Sequence, residues 1–289
     1  MKINKDQCMG CGSCLKWCPN HLLSLSEDYN QRGVHYSIQQ DPSKCINCGL
    51  CELMCRAGAI DCNSHTGHEL IDLSITPPHA GCSFGSITKV LADVIHKMDI
   101  SDDIVMFKQK GADIGLKVEY YDYTNDDFYL DGLAYKQAHP DKIVIIVCAS
   151  SKITNTTINK ERFEKLQDEK VTIIHTLSYF EANESLDALV NCPTRILEDL
   201  SNRKAGSMIA RGSVSTPANM RQFEKYIEQA LQNQIDGKKF SVVEMVYPCL
   251  FRLGKRPQKL MDYAQIQPLM NWFDQYVEKI YPPFRQDFE

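Results

Sequence analysis

Apolar residues recur at helical spacing between Ile87 and Met98. Ile87, Val90, Leu91, Val94, Ile95 and Met98 share one face after a turn at Gly85-Ser86, and predict an amphipathic helix. The run Lys142–Cys148 is almost continuously apolar, as in a strand buried on both faces. Shorter runs at Ile104–Phe107, Val171–Leu177, Ser207–Ala210 and Phe240–Val246 predict further strands. Helices are expected around Gly132–His139, stopped by Pro140, and over Ile158–Gln167. A third starts at Thr216-Pro217 and places Met220, Phe223, Tyr226, Ile227, Ala230 and Leu231 on one face. Strands alternating with helices argue for an α/β domain with a parallel sheet.

The first sixty residues lack that rhythm. His21–Leu25 and Val34–Ile38 read as a hairpin turned at Asn30–Gly33. On either side of it lies one copy of a cysteine motif, C-x2-C-x2-C-x3-C. The first copy is Cys8, Cys11, Cys14 and Cys18; the second is Cys45, Cys48, Cys51 and Cys55. Asp6 and Asp41 precede the two copies, so an internal repeat with pseudo-twofold symmetry is expected. Zinc ligands come as separated C-x2-C pairs, and disulfide frameworks belong to small secreted chains. Four cysteines in so short a run instead suit a cubane iron–sulfur cluster, with the fourth ligating the other cluster. Cluster one is therefore assigned to Cys8, Cys11, Cys14 and Cys55, and cluster two to Cys45, Cys48, Cys51 and Cys18. Residues 3–62 resemble the bacterial-type ferredoxins with two 4Fe-4S clusters, a small α+β fold. Arg56 stands where that family has proline, which adds a cation beside a cluster.

Composition adds bounds. A chain of 289 residues accommodates a small module and one ordinary domain, and a hydrophobic fraction of 43% is that of a globular protein. The net charge of -5 makes neither nucleic acid nor an anionic membrane an expected partner. The N-terminus carries no apolar leader, and no run approaches membrane-spanning length. Thirteen cysteines in that context imply a reducing cytoplasm, with an anaerobic setting expected for exposed clusters. The expected domains are 1–62, a linker at 63–81 ending in Thr76-Pro77-Pro78, an α/β domain at 82–255 and a tail at 256–289. Cys62, a ninth cysteine near the clusters, is surplus as a ligand and reads as a structural thiol.

Residues 74–253 are similar to the beta subunit of the 2-oxoacid:ferredoxin oxidoreductases, which carries a thiamine-diphosphate-binding domain. The resemblance rests on Pro78–Gly85, on Asp131–Val147, and on Ala210–Ser215 through Tyr247-Pro248-Cys249. It implies an α/β thiamine-diphosphate-type fold, a partner alpha subunit and an oligomeric complex. It also implies thiamine diphosphate with Mg²⁺, held by a Gly-Asp-Gly loop after the buried strand and a later Asn. Those positions here are Cys148–Lys152 and Leu177-Ser178, without a carboxylate for the metal. Lys152, Thr154 and Thr156 read as a solvated loop or as an anion contact, and a family histidine falls at Tyr123. Some family members build another cluster site in this domain. Its positions correspond to His79, Cys82, Asp113 and Cys249, a set that reads either as a metal site or as ordinary surface. Cys148 and Cys192 read as buried thiols.

Three functional readings follow, and no nucleophile–histidine constellation adds a fourth. The first is an electron-transfer subunit that relays single electrons through two 4Fe-4S clusters, its α/β domain not holding thiamine diphosphate in the usual way. The second is a competent beta subunit decarboxylating a 2-oxoacid with its partner. The third is a sensory or structural use of the clusters.

Overall fold

The computed structural model describes residues 1–64, 67–75, 81–124, 128–149, 165–166, 168–179, 196–204, 206–248 and 284–288. The N-terminal module pairs β1 (Lys2–Ile3) with a strand at Ile60–Asp61, antiparallel, and β2 (Leu23–Tyr29) with β3 (His35–Gln39) as a hairpin. Two short helices, α1 (Ser13–Trp17) and α2 (Leu50–Leu53), follow the second cysteine of each motif. Gly12 and Gly49 start them with φ of 68° and 73°, a conformation that costs glycine little and other residues more. This is the repeat read from the sequence, realised as two equivalent turns into two equivalent helices.

Counting Ile60–Asp61 as β4, the second domain contributes β5 (Ile104–Gln109), β6 (Glu119–Tyr123), β7 (Ile143–Ala149), β8 (Thr172–Tyr179), β9 (Met208–Ser213), β10 (Ser241–Pro248) and β11 (Phe284–Asp287). They form one seven-stranded sheet in the order β11-β9-β10-β8-β7-β5-β6, parallel throughout except for the β11–β9 pair. The α/β expectation is met. The helices are α3 (Phe84–Met98), α4 (Phe128–Ala138), α5 (Ile196–Asn202) and α6 (Pro217–Ile235). On one face α3 and α6 bury Ile87, Leu91, Ile95, Phe223, Ile227 and Leu231 against Met106, Ile145, Val243 and Met245. Each such side chain contributes roughly 1.5–3 kcal/mol. On the other face α4 covers Phe107, Val144 and Ile146, and Gly132 lets it come close: a Cβ there would meet Ile146 Cδ1 at 3.1 Å.

Differences from expectation have simple origins. β6 is an edge strand whose residues are largely exposed, so it has no apolar alternation to read. β11 draws its partner from far upstream and is too short to show a period. The helix expected at Gly132 begins at Phe128, because Phe128 and Tyr129 are core residues of its first turn. Residues 67–75 of the expected linker pack against α3: a Cβ on Gly67 would lie 2.3 Å from the Ala92 carbonyl. Leu53 and Met54 of the N-terminal module, with partly buried Trp17, join the core under α3 and α6. Among the described residues no helix is long and apolar enough to cross a membrane.

Candidate functional site

Each motif turns at its glycine, places its third cysteine on the helix, and releases its fourth just beyond the helix end. Cys14 lies in α1 and Cys18 caps it; Cys51 lies in α2 and Cys55 follows the Met54 cap. Because α1 and α2 pack together, each fourth cysteine arrives at the other motif's turn. Cys14 lies close enough to Cys55, Cys11 and Cys8 that charge on any of them would push its thiol up further, and Cys55 stands likewise to Cys11 and Cys8. Cys18, Cys45, Cys48 and Cys51 line one cavity of about 380 Å³. Cys8, Cys11, Cys14 and Cys55 thus lie near one another, as do Cys18, Cys45, Cys48 and Cys51. Cys62 lines the cavity of Cys18, Cys45, Cys48 and Cys51 too, with its Sγ 3.6 Å from Cys51 Sγ.

Backbone donors converge on the sulfurs. Ser37 N–H donates to Cys8 Sγ at 3.4 Å, Leu22 N–H to Cys18 Sγ at 3.3 Å, and Ala59 N–H to Cys55 Sγ at 3.2 Å. Such bonds stabilise charge on a sulfur ligand and tune a bound centre. Burial pushes the Cys8, Cys14 and Cys55 thiols up from their ordinary value, and burial with neighbouring Cys62 takes Cys51 to about 12. These groups stay protonated unless a metal ion deprotonates them on binding, which suits ligands better than free nucleophiles. Four sulfurs per set, N–H groups aimed at sulfur and an apolar lining fit the two-cluster assignment. The sets differ in access: Cys8, Cys14 and Cys55 are buried, whereas Cys48 is exposed and neighbouring Ile46 is 65% exposed.

No sequence pattern signals the polar hub beside the second set. Glu52, fully buried between Cys51 and Leu53, accepts from Cys62 N–H at 3.0 Å, from Ser64 N–H at 3.2 Å and from Ser64 Oγ. His68 Nε2 lies 2.7 Å from its other oxygen. Burial alone would raise its pKa, but the bonds from His68, Ser64 and Cys62 outweigh burial and hold the carboxyl at about 2. This hub fastens the chain after β4 to the helix carrying Cys51. Asp61 completes a group of three possible ligands with Glu52 and His68, but the hydrogen bonds already occupy Glu52.

The strand order reverses direction at β5 and β7, and the crevice beyond their carboxyl ends is the usual ligand position in open α/β sheets. Asp113, in the loop after β5, lines a crevice of about 450 Å³ with Gln7, Arg32, Arg56, Gly58 and Lys89. Arg56 is buried, donating from Nη1 to Gly81 O at 2.6 Å and to Ser83 Oγ at 3.1 Å. Of the other expected metal set, Cys82 is buried in the core under α3, while His79 and Cys249 lie outside the described residues. So do Cys192, Lys152, Thr154, Thr156 and most of the helix expected at 158–167. Cys148 is buried beside Tyr129, and Tyr123 stacks on Phe107 at the sheet edge.

On the opposite half of the sheet, His175, Glu244 and Arg211 stand in register on β8, β10 and β9, all buried. His175 Nδ1 lies 3.0 Å from Glu244 Oε1, and Arg211 Nε donates to Glu244 Oε2. Desolvation opposes ionisation of Glu244, yet the His175 bond and the Arg211 charge hold its pKa below the usual value.

Residues 7–59 match the family described as a 4Fe-4S dicluster domain. Over 195 residues the chain is 23% identical to the ketoisovalerate oxidoreductase subunit VorA of Methanothermobacter thermautotrophicus, covering 59% of this chain and 41% of that subunit. Over 53 residues it is 36% identical to the ketoisovalerate oxidoreductase subunit VorC of Methanothermobacter marburgensis, covering 18% of this chain and 66% of that one. The chain therefore spans about two fifths of the first relative's length and about two thirds of the second's. Among solved structures, a 2-oxoglutarate:ferredoxin oxidoreductase from Magnetococcus marinus with 2-oxoglutarate, coenzyme A and succinyl-CoA bound superposes with a TM-score of 0.48. Its identity is 9%, over 64% of this chain and 68% of that one.

Proposed function

With residues 7–59 belonging to the 4Fe-4S dicluster family, we propose that this chain is an electron-transfer subunit of a 2-oxoacid:ferredoxin oxidoreductase-like complex. The observation that carries the reading is the convergence of eight cysteines into two sets of four on a module that shares its core with an α/β domain. Similarity to two differently named subunits of one kind of oxidoreductase supports it. Cys8, Cys11, Cys14 and Cys55 hold cluster one; Cys45, Cys48, Cys51 and Cys18 hold cluster two. Bound clusters of this type accept and release electrons singly. The protein's part is to fix the sulfurs, direct N–H groups at them, and keep the first set more buried than the second. The exposed side, at Ile46 and Cys48, is where an outside partner meets the module. Arg56, which follows Cys55, lines the crevice that also holds Lys89 and Asp113.

In this reading the α/β domain docks an alpha-type partner subunit and does not hold thiamine diphosphate in the usual way, since Cys148–Lys152 offers Mg²⁺ no carboxylate. A second reading, a competent beta subunit acting on a 2-oxoacid, is favoured by the likeness to VorA. Anaerobic purification with co-purifying partners separates the two. About eight irons per chain, two reducible clusters and no thiamine diphosphate support the first reading. Stoichiometric thiamine diphosphate replaces it with the second, and absence of clusters defeats both.

A further inference from the structure

Lys89 projects from α3 of the α/β domain into the N-terminal module and is buried, 3% exposed. Its ammonium donates to Glu52 O, and to Leu53 O at 3.3 Å. These carbonyls close α2, the helix that bears Cys51 and leads into Cys55. Burial pushes the Lys89 pKa down, and charge on Cys55, then on Asp93, Glu52 and Cys51, opposes that. Among the described residues no carboxylate lies within ion-pair distance of its ammonium. Glu52 turns its carboxylate away, toward Cys62, Ser64 and His68. A buried ammonium is costly unless a negative charge answers it. Two neutral carbonyls accept from it, and Asp93 and Glu52 answer its charge only from beyond ion-pair distance. A cluster bound by four thiolates, Cys55 among them, supplies negative charge there, and each electron it accepts adds another.

Resting on the two-cluster reading above, we propose that Lys89 is the counter-cation of cluster one, donated across the domain boundary, and that it raises this cluster's reduction potential. The α/β domain thereby sets the energy of an electron stored in the adjoining module. A fixed positive charge favours the reduced, more negative form, so removing it makes reduction harder. Lys89 is a positioning residue for charge and does not ligate iron.

The test uses the full chain, loaded anaerobically, with iron analysis and a potentiometric titration followed by electron paramagnetic resonance. Lys89→Met is expected to keep about eight irons and shift one midpoint to lower potential. A tenfold change in the oxidised-to-reduced ratio would read as about 59 mV for a one-electron couple. Lys89→Arg is expected to restore the midpoint. Should Lys89→Met fail to load, Lys89→Gln retains donors for the two carbonyls without the charge and is read the same way. Unchanged midpoints in a loaded neutral variant overturn the proposal, as does an equal shift in Lys89→Arg. A wild-type chain without two clusters overturns the cluster reading itself.

Discussion

Glu52 illustrates how much of the site depends on one side chain that the motif does not specify. It gathers two backbone N–H groups, a serine hydroxyl and His68 around a carboxylate with no solvent exposure. Glu52→Gln keeps the volume but replaces one acceptor oxygen with a donor. We expect a loss of roughly 3 kcal/mol or more. Faster iron release from the second set should accompany it, followed by chelator-dependent bleaching. Glu244 makes a corresponding prediction in the sheet. Its folded pKa is depressed, so its contribution to stability is present above its ordinary pKa of 4.5 and lost as pH falls below it. Removing one partner of a buried pair costs roughly 3–5 kcal/mol. The melting difference between wild type and Glu244→Gln should therefore be large at neutral pH and shrink on acidification; a pH-independent difference would refute this account. The cluster cysteines were legible in the sequence because their spacing is itself the geometry of the site. Glu52, His68 and Lys89 were not, since a polar residue acquires these partners only when the chain folds.

At the level of elements, legibility followed periodicity. α3 and α6 carry long apolar stripes and appear where expected, and α6 starts under the expected cap: Thr216 Oγ1 accepts from Asn219 N–H at 3.1 Å. Thr216→Ala should lower stability by about 1 kcal/mol in thermal or denaturant melts, with iron content unchanged. The buried strands β7, β8 and β10 were legible because burial on both faces demands apolar runs. β6 and β11 were not, being edge strands placed by partners rather than by their own pattern. The junction between module and domain was likewise hidden in two glycines. A Cβ on Gly85 would lie 1.7 Å from the Arg56 carbonyl oxygen, so Gly85→Ala forces α3 away from the loop that carries Cys55. Overpacking of this kind costs roughly 1–3 kcal/mol. Melting should begin lower, and the buried sulfurs of the first set should become reactive to thiol reagents in the iron-free protein.

For the molecule as a whole, the sequence suggested two domains joined by a linker. The described part of that linker lies packed on α3, while Leu53 and Met54 sit in the same core as α3 and α6. Sequence reading divides a chain at composition shifts, and composition does not record that two segments share one apolar interior. The close approaches at Gly85 and Gly67 carry a kinetic consequence for the proposed role. A cluster module on a loose tether would swing between donor and acceptor, and its turnover would be limited by an internal first-order step. A module wedged in place has no such stroke, so an outside acceptor must diffuse to the rim around Ile46 and Cys48 for every electron. Oxidation of the reduced chain should then accelerate in proportion to acceptor concentration and slow with solvent viscosity. A concentration-independent plateau at low acceptor would show instead that the module comes loose during each cycle.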